Sequence, residues 1–317
     1  MVFLTKKNHT NPCSWTAYWN IDYFNNKVSD FPMMMNPRKQ SVFSLNMQAD
    51  KVIRTNVNNV HFDKDIGIAE ITPAAAKDFC RRHFPDDYNH FEKYMKNHPE
   101  TLLLDFENIL SSIEKSPAYE TLYGVIKKQR IDTREELAFL SGFIIFQRIR
   151  SHAIFRSMLE FADLMGIERF EYFWLLKNLL GNPDYLYQLT LPLATSQWLV
   201  YKSDVHVLPL PDTPVLIKEG NVMVALSPRL LVEINLNIRD FEGLWIEKEK
   251  IPKNKQREYR KRAVENTFKE IIFNDKSILE EWRESTEFRK RRNLRINSDS
   301  FYSLVLKTKV NKLWKQK

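Results

Sequence analysis

Three groups of polar residues in this 317-residue chain are of types that do acid–base or anion chemistry. His9 lies between Asn8 and Asn11 in a stretch punctuated by Pro12. An imidazole titrates near neutral pH without large tuning, so a loop histidine can act as a general base, or equally cap and pack beside Pro12 and Trp15. Gln147, Arg148, Arg150 and His152 crowd the end of a long apolar segment. On a helix Gln147, Arg150 and Ser151 share a face, and Arg148 falls beside His152 at i,i+4. A guanidinium emerging there is placed to fork onto a phosphate or carboxylate. Cations at a helix C-terminus also offset its macrodipole, worth about 0.3–1 kcal/mol each. Asp212 sits in Pro211-Asp212-Thr213-Pro214. Two prolines can hold its carboxylate rigidly for catalysis or a metal, and an aspartate in such a turn can also satisfy local N–H groups.

A fourth group is a matter of charge. The net charge is +8, from 48 basic and 40 acidic residues. Residues 283–317 hold eleven basic and three acidic side chains, so they carry all of it, and residues 1–282 are neutral. Arg289, Lys290, Arg291, Arg292 and Arg295 open this segment; Phe301, Tyr302 and Trp314 interleave aromatics among later lysines. That combination suits phosphate contacts plus base stacking, and it equally suits a solvated basic tail.

Other chemistries are excluded or thinly supported. The seven glycines never cluster, which removes GxGxxG, Walker-type and GxSxG loops, and no HExxH occurs. His9-x3-Cys13 with Cys80-x2-His83 has zinc-ligand residue types at spacings common by chance. No Glu-x-Lys or Asp-x-Lys follows Asp212, so the usual magnesium nuclease core is missing. No metal or cofactor is called for. No signal pattern and no apolar run of about 18 residues stands out, and two cysteines suit free thiols, so a cytoplasmic chain is expected, with no membrane partner.

The periodicity supplies the elements that must position these groups. Ser41–Asn46 and Lys51–Asn56 read as a hairpin. Thr72-Pro73 opens a helix toward His83. Leu102, Phe106, Ile109 and Ile113 share a helical face, opposite Glu107, Ser111 and Glu114. Thr133-x-x-Glu136 is a capping box before Leu137–Phe146, which is apolar nearly all round and marks a central buried helix. Phe155–Met165 and Phe170–Leu180 follow as helices. After Pro192 the pattern is extended, at Trp198–Lys202, Val205–Leu208, Val215–Lys218, Val222–Leu226 and Leu230–Leu236, with a hairpin turn at Glu219-Gly220-Asn221. From Lys248 a charged helical stretch runs through Ile272. The segregation predicts an α+β fold: a short N-terminal β-hairpin, a central helical bundle with a buried helix near 134–152, an antiparallel β region near 198–236, and a helical basic C-terminus. One domain over 1–247 and an extension over 248–317 are expected.

The string Asn8-His9-Thr10-Asn11-Pro12-Cys13-Ser14-Trp15-Thr16-Ala17-Tyr18-Trp19 resembles the opening of the bacterial domain-of-unknown-function 4238 family, in the branch that writes Asn-Pro-Cys-x-Trp. Phe143 to Arg150, with its Gln-x-x-Arg element, resembles a second family helix. Pro211-Asp212-Thr213-Pro214-Val215 and Leu226-Ser227-Pro228 resemble its Ser-Asp-Asn-Pro-Val and Leu-Ser-Pro stretches. The likeness covers about residues 8–240. It implies positions rather than a mechanism, together with a setting near mobile-element or phage-defence loci. Pro211 and Thr213 replace two polar residues around Asp212, and Arg150 is followed by Ser151-His152 where a threonine and proline often stand.

These readings converge on two expectations. In the first, the chain is a nuclease-type effector: His9 moves a proton, Arg150 and Asp212 complete the catalytic group, and Asn11, Gln147, Arg148, His152 and Ser227 bind substrate. Arg289, Lys290, Arg291, Arg292 and Arg295 then recruit nucleic acid. In the second, the chain is a non-catalytic sensor that binds a small anionic ligand, a protein partner or its own copy. The position of His9 relative to Arg150 and Asp212 discriminates between them.

Overall fold

The computed structural model describes residues 7–9, 11–21, 36–64, 67–97, 102–105, 114, 117–239 and 245–296. Its class is α+β, as the segregation of strands and helices implies. Thirteen short strands, numbered in chain order, form four sheets among the described residues.

The larger sheet comprises β7 (Ser196–Lys202), β9 (Leu216–Lys218), β10 (Asn221–Ser227), β11 (Leu230–Arg239) and β12 (Trp245–Lys248), in the order β12-β7-β11-β10-β9. Its pairings are antiparallel except β12 with β7. Glu219 and Gly220 turn β9 into β10 with φ of 50° and 75°. A Cβ on Gly220 would stand 2.6 Å from the Asn237 side chain, so only glycine fits. Val205–Leu208, expected as a strand, is irregular and lies between β7 and β8.

A second sheet runs β3-β2-β13-β8, all antiparallel, from β2 (Ser41–Asn46), β3 (Lys51–Asn56), β8 (Leu210–Pro211) and β13 (Glu270–Phe273). The expected hairpin is there. Its turn is closed by Asn46 Oδ1, which accepts from the amides of Gln48 and Ala49. β13 corrects two readings. Residues 270–273 are a strand, not the end of a helix, because they fill the gap between β2 and β8. The boundary expected at 247 therefore cuts through one sheet, and residues 253–296 are part of the body. Two small pairs complete the strands: β1 (Lys7–His9) with β4 (Phe62–Lys64), and β5 (Ile68–Ile71) with β6 (Leu102–Asp105). The last overturns the start of a helix expected from Leu102, whose further residues Phe106, Ile109 and Ile113 lie outside the described residues: the β5 edge captures the Leu102–Leu104 run, and tertiary pairing overrides local periodicity.

Eleven α-helices, also numbered in chain order, are described. The first, α1 (Cys13–Thr16), and the turn after it bury Trp15 and Trp19, whose indole N–H groups donate to the carbonyls of Leu226 at 2.8 Å and Leu208 at 2.6 Å. α2 (Pro73–His83) starts at the Thr72 cap, and α5 (Arg134–Arg150) at the Thr133 cap. α3 and α4 are Tyr88–Asn97 and Pro117–Lys128. α5 is the central helix: Phe143 meets Trp15 edge-on at 5.0 Å and Tyr119 at 5.6 Å. α6 (His152–Leu164) ends in a Schellman turn at Gly166, with Ile167 N bonded to Ala162 O and Gly166 N to Asp163 O. After α7 (Arg169–Gly181), Asn182 caps a helix for which the sequence reading makes no prediction, α8 (Pro183–Ala194). α9 (Lys253–Asn266), α10 (Lys276–Arg283) and α11 (Thr286–Ile296) close the described chain, with α9 and α11 side by side. No described helix is long and apolar enough to cross a membrane.

Candidate anion-binding cleft

The N-terminal strand does meet the end of α5. Arg150 Nη2 donates to the backbone carbonyl of His9, and Nη1 pairs with Glu114. Asn11 joins this region to the Pro211–Asp212 stretch, its Nδ2 lying 2.8 Å from His61 Nδ1 and 3.2 Å from Pro211 O. The residues that the resemblance groups are thus brought into one buried seam. Each is nonetheless held by structural partners.

His9 is only 7% exposed, paired across the sheet with Phe62. Burial, then the charges of Arg150 and Arg38, pull its pKa down to about 4. At neutral pH it is a neutral imidazole whose conjugate acid is scarce, which is poor tuning for proton transfer there. Asp212 is fully buried and accepts from the amides of Phe268 (3.1 Å), Lys269 (2.5 Å) and Glu270 (3.4 Å), fixing the entry into β13. Next to it Glu270 accepts from Ser44 Oγ at 2.6 Å and from the His61 amide at 2.7 Å; burial pushes its carboxyl pKa up. Gln147 donates to the Tyr119 hydroxyl at 3.1 Å. Ser227 Oγ accepts from the Arg229 amide at the bulged turn between β10 and β11. The side chain of His152 lies outside the described residues, as do residues 297–317 with the late lysines and aromatics of the tail.

A further concavity lies elsewhere. A cleft of about 710 Å³ is walled by Arg148 from the end of α5, Ala153 and Ile154 from the start of α6, Thr213, Ile217 and Lys218 from β9, one face of α9, Phe268, and one face of α11. The α9 face is Lys261, Arg262, Glu265 and Asn266; the α11 face is Thr286, Glu287, Lys290, Arg291 and Leu294. Both sets follow i, i+3/i+4 spacing, so each helix turns one stripe inward. Six basic side chains and two acidic ones line the space.

Two of the cations are unusual. Arg291 is 4% exposed; its Nε donates to Thr267 O at 2.8 Å and its guanidinium lies 4.4 Å over the Phe268 ring. Burial pushes its pKa down to about 10, with Asp212 and Glu265 opposing and Arg295 reinforcing that fall. Arg148 is half-buried, donates to Val215 O at 3.4 Å, and is lowered by burial alone. Neither makes an ion pair among the described residues. Holding two desolvated guanidinium groups without a direct ion pair is costly, and an anion beside them would offset that cost. By contrast Arg262 is committed to Glu258 and Asn221.

The basic run expected as one surface is split by the helix. Lys290 and Arg291 face the cleft; Arg289 pairs with Glu284 and Arg292 with Asp50 on the other flank. Arg295 is half-buried near Arg291. Lys218, Lys261, Glu265 and Glu287 carry no local motif that the sequence offers, and Thr213 stands in it only as a neighbour of Asp212. The spacing of Glu287, Lys290, Arg291 and Leu294 was the available signal. Among the described residues no three His, Cys, Asp or Glu side chains gather to hold a metal.

No family model matches the chain, and neither the curated proteins nor the solved structures contain a significant match. The likeness to the domain-of-unknown-function 4238 family therefore stands on the residues quoted for it.

Proposed function

We propose that this protein binds a phosphate-bearing ligand in the cleft between α5, α9 and α11, and that it works as a sensor or binding module rather than through His9. The observation that carries this reading is the pair of desolvated guanidinium groups, Arg148 and Arg291, that line one cavity and make no ion pair among the described residues. Lys218, Lys261 and Lys290 raise the local potential further, which draws anions in and strengthens each contact. The volume suits a compact ligand, within the roughly 300–1,000 Å³ usual for small-molecule sites.

A nuclease-type reading centred on His9 has less behind it. The imidazole is buried with its pKa near 4, Arg150 is tied to a backbone carbonyl and to Glu114, and Asp212 is filled by three amides. A nucleic-acid strand is the second reading for the cleft itself, favoured by Lys290 and Arg291 at its edge and by the charge of residues 283–317.

Isothermal titration with inorganic tripolyphosphate tests the binding site. Wild type is expected to bind with strong salt dependence. Arg148→Ala and the exposed-site variant Lys290→Glu should each weaken binding at least tenfold, while Arg289→Ala and Arg292→Ala should not. Equal affinity in all four variants would refute the assignment.

A further inference from the structure

The start of α6 adds a second kind of anion receptor to the cleft. Its first backbone bond is made by Phe155 N to Ser151 O, so the amides of residues 152, 153 and 154 precede the hydrogen-bonded ladder. No side chain caps them; Ser151 Oγ instead donates back to Arg148 O. The helix is 13 residues long, and Ala153 and Ile154 at this end line the cleft. An uncapped helix N-terminus attracts phosphate oxygens through its free amides and positive dipole end.

Independent of that helix, Thr213 also lines the cleft, is 1% exposed, and has a hydroxyl without a hydrogen-bond partner among the described residues. A buried hydroxyl normally has a partner, so one left without any in a residue of the cleft wall points to a ligand atom that reaches it. Arg148 donates to Val215 O, two residues along the chain from Thr213, and it precedes the start of α6 by four residues; Arg148, Thr213 and the start of α6 all line the cleft.

The rest of the cleft differs from that corner. Glu265 and Glu287 stand in it without ion pairs among the described residues, beside Ile154 and Leu294. Carboxylates repel the successive phosphates of a strand and accept from hydroxyl and amine groups; the apolar side chains offer surface to a ring. Building on the phosphate-binding reading above, we infer that the ligand is a nucleoside phosphate: a terminal phosphate seated on the start of α6 with Arg148 and Thr213, and its sugar and base directed toward Glu265, Glu287 and Leu294.

Titration calorimetry with inorganic phosphate, ribose 5-phosphate, the four nucleoside 5′-monophosphates, adenosine, and a ten-residue oligodeoxynucleotide lacking terminal phosphates tests this. At least one mononucleotide is expected to bind tenfold or more tighter than inorganic phosphate and ribose 5-phosphate, with adenosine and the oligonucleotide weaker still. Glu265→Gln with Glu287→Gln should strengthen inorganic phosphate binding by removing two negative charges, and should lower mononucleotide affinity relative to inorganic phosphate about fivefold or more. Thr213→Val should weaken every phosphate, and Lys290→Glu, an exposed position, supplies the same reading should Thr213→Val fold poorly. Mononucleotides no tighter than inorganic phosphate, or an oligonucleotide tighter than all of them, would overturn the nucleoside assignment alone. Absence of binding by every phosphate probe would overturn both readings.

Discussion

Arg150 spans from the carbonyl of His9 to the carboxylate of Glu114, so one guanidinium ties the N-terminal strand to the end of the central helix. The guanidinium expected in the catalytic group is held by two structural partners. Substituting Arg150 by Ala leaves Glu114 and a buried carbonyl without their partner. A loss of about 3–5 kcal/mol is expected for breaking a buried charged pair. Urea unfolding measures it, and tripolyphosphate affinity of the folded fraction should match wild type.

Asp212 should be as intolerant. Its carboxylate gathers three amides at the entry to β13 and lies near Arg291. Asp212→Asn presents an amide N–H to a donor-only surface, and a loss of about 2–3 kcal/mol is expected from hydrogen bonds to a charged acceptor. Denaturant unfolding checks this, with a smaller loss contradicting the role.

Stability should fall in mild acid. His9 holds a pKa of about 4 in the folded chain against 6.5 unfolded, and His206, lowered chiefly by burial, also sits at about 4. The unfolded state takes up protons first, so the contribution is whole above about pH 6.5, declines as pH falls, and is gone below about 4. For His9 the shift corresponds to about 3 kcal/mol. Unfolding free energies at pH 7 and pH 5 should differ, and His9→Gln should flatten the difference.

Gly220→Ala adds a Cβ at positive φ against Asn237. A destabilisation above about 1 kcal/mol is expected, without effect on the cleft. Thermal unfolding and tripolyphosphate titration of the variant read both.

Much of this fold was legible because its signals are local. Thr72-Pro73, Thr133-x-x-Glu136 and Glu219-Gly220 each set an element boundary through bonds within four residues or through a turn's own φ values. Leu102–Asp105 and Glu270–Phe273 were misread for the opposite reason. Their strand character comes from partners elsewhere in the chain, Ile68–Ile71 in one case and the Ser41–Asn46 and Leu210–Pro211 strands in the other. The polar seam around His9 and Arg150 is legible in its residue types but not in its contacts, since only packing shows a guanidinium meeting a carbonyl. The cleft was nearly invisible. Arg148, Lys218, Lys261 and Lys290 stand on four elements, and which cations of the run Arg289–Arg292 turn inward depends on the face α11 presents to α9.

The most direct measurement locates an oxyanion. Crystals in a lattice that leaves the cleft open, soaked in submillimolar tungstate and recorded at the tungsten edge, report where a tetrahedral dianion settles. An anomalous peak within hydrogen-bond reach of the Arg148 guanidinium and the first amides of α6 is expected, and it should vanish in Arg148→Ala. Tungstate bound only outside the cleft, at Arg289, Arg292 or other surface cations, would contradict the assignment of this cleft as the protein's functional site.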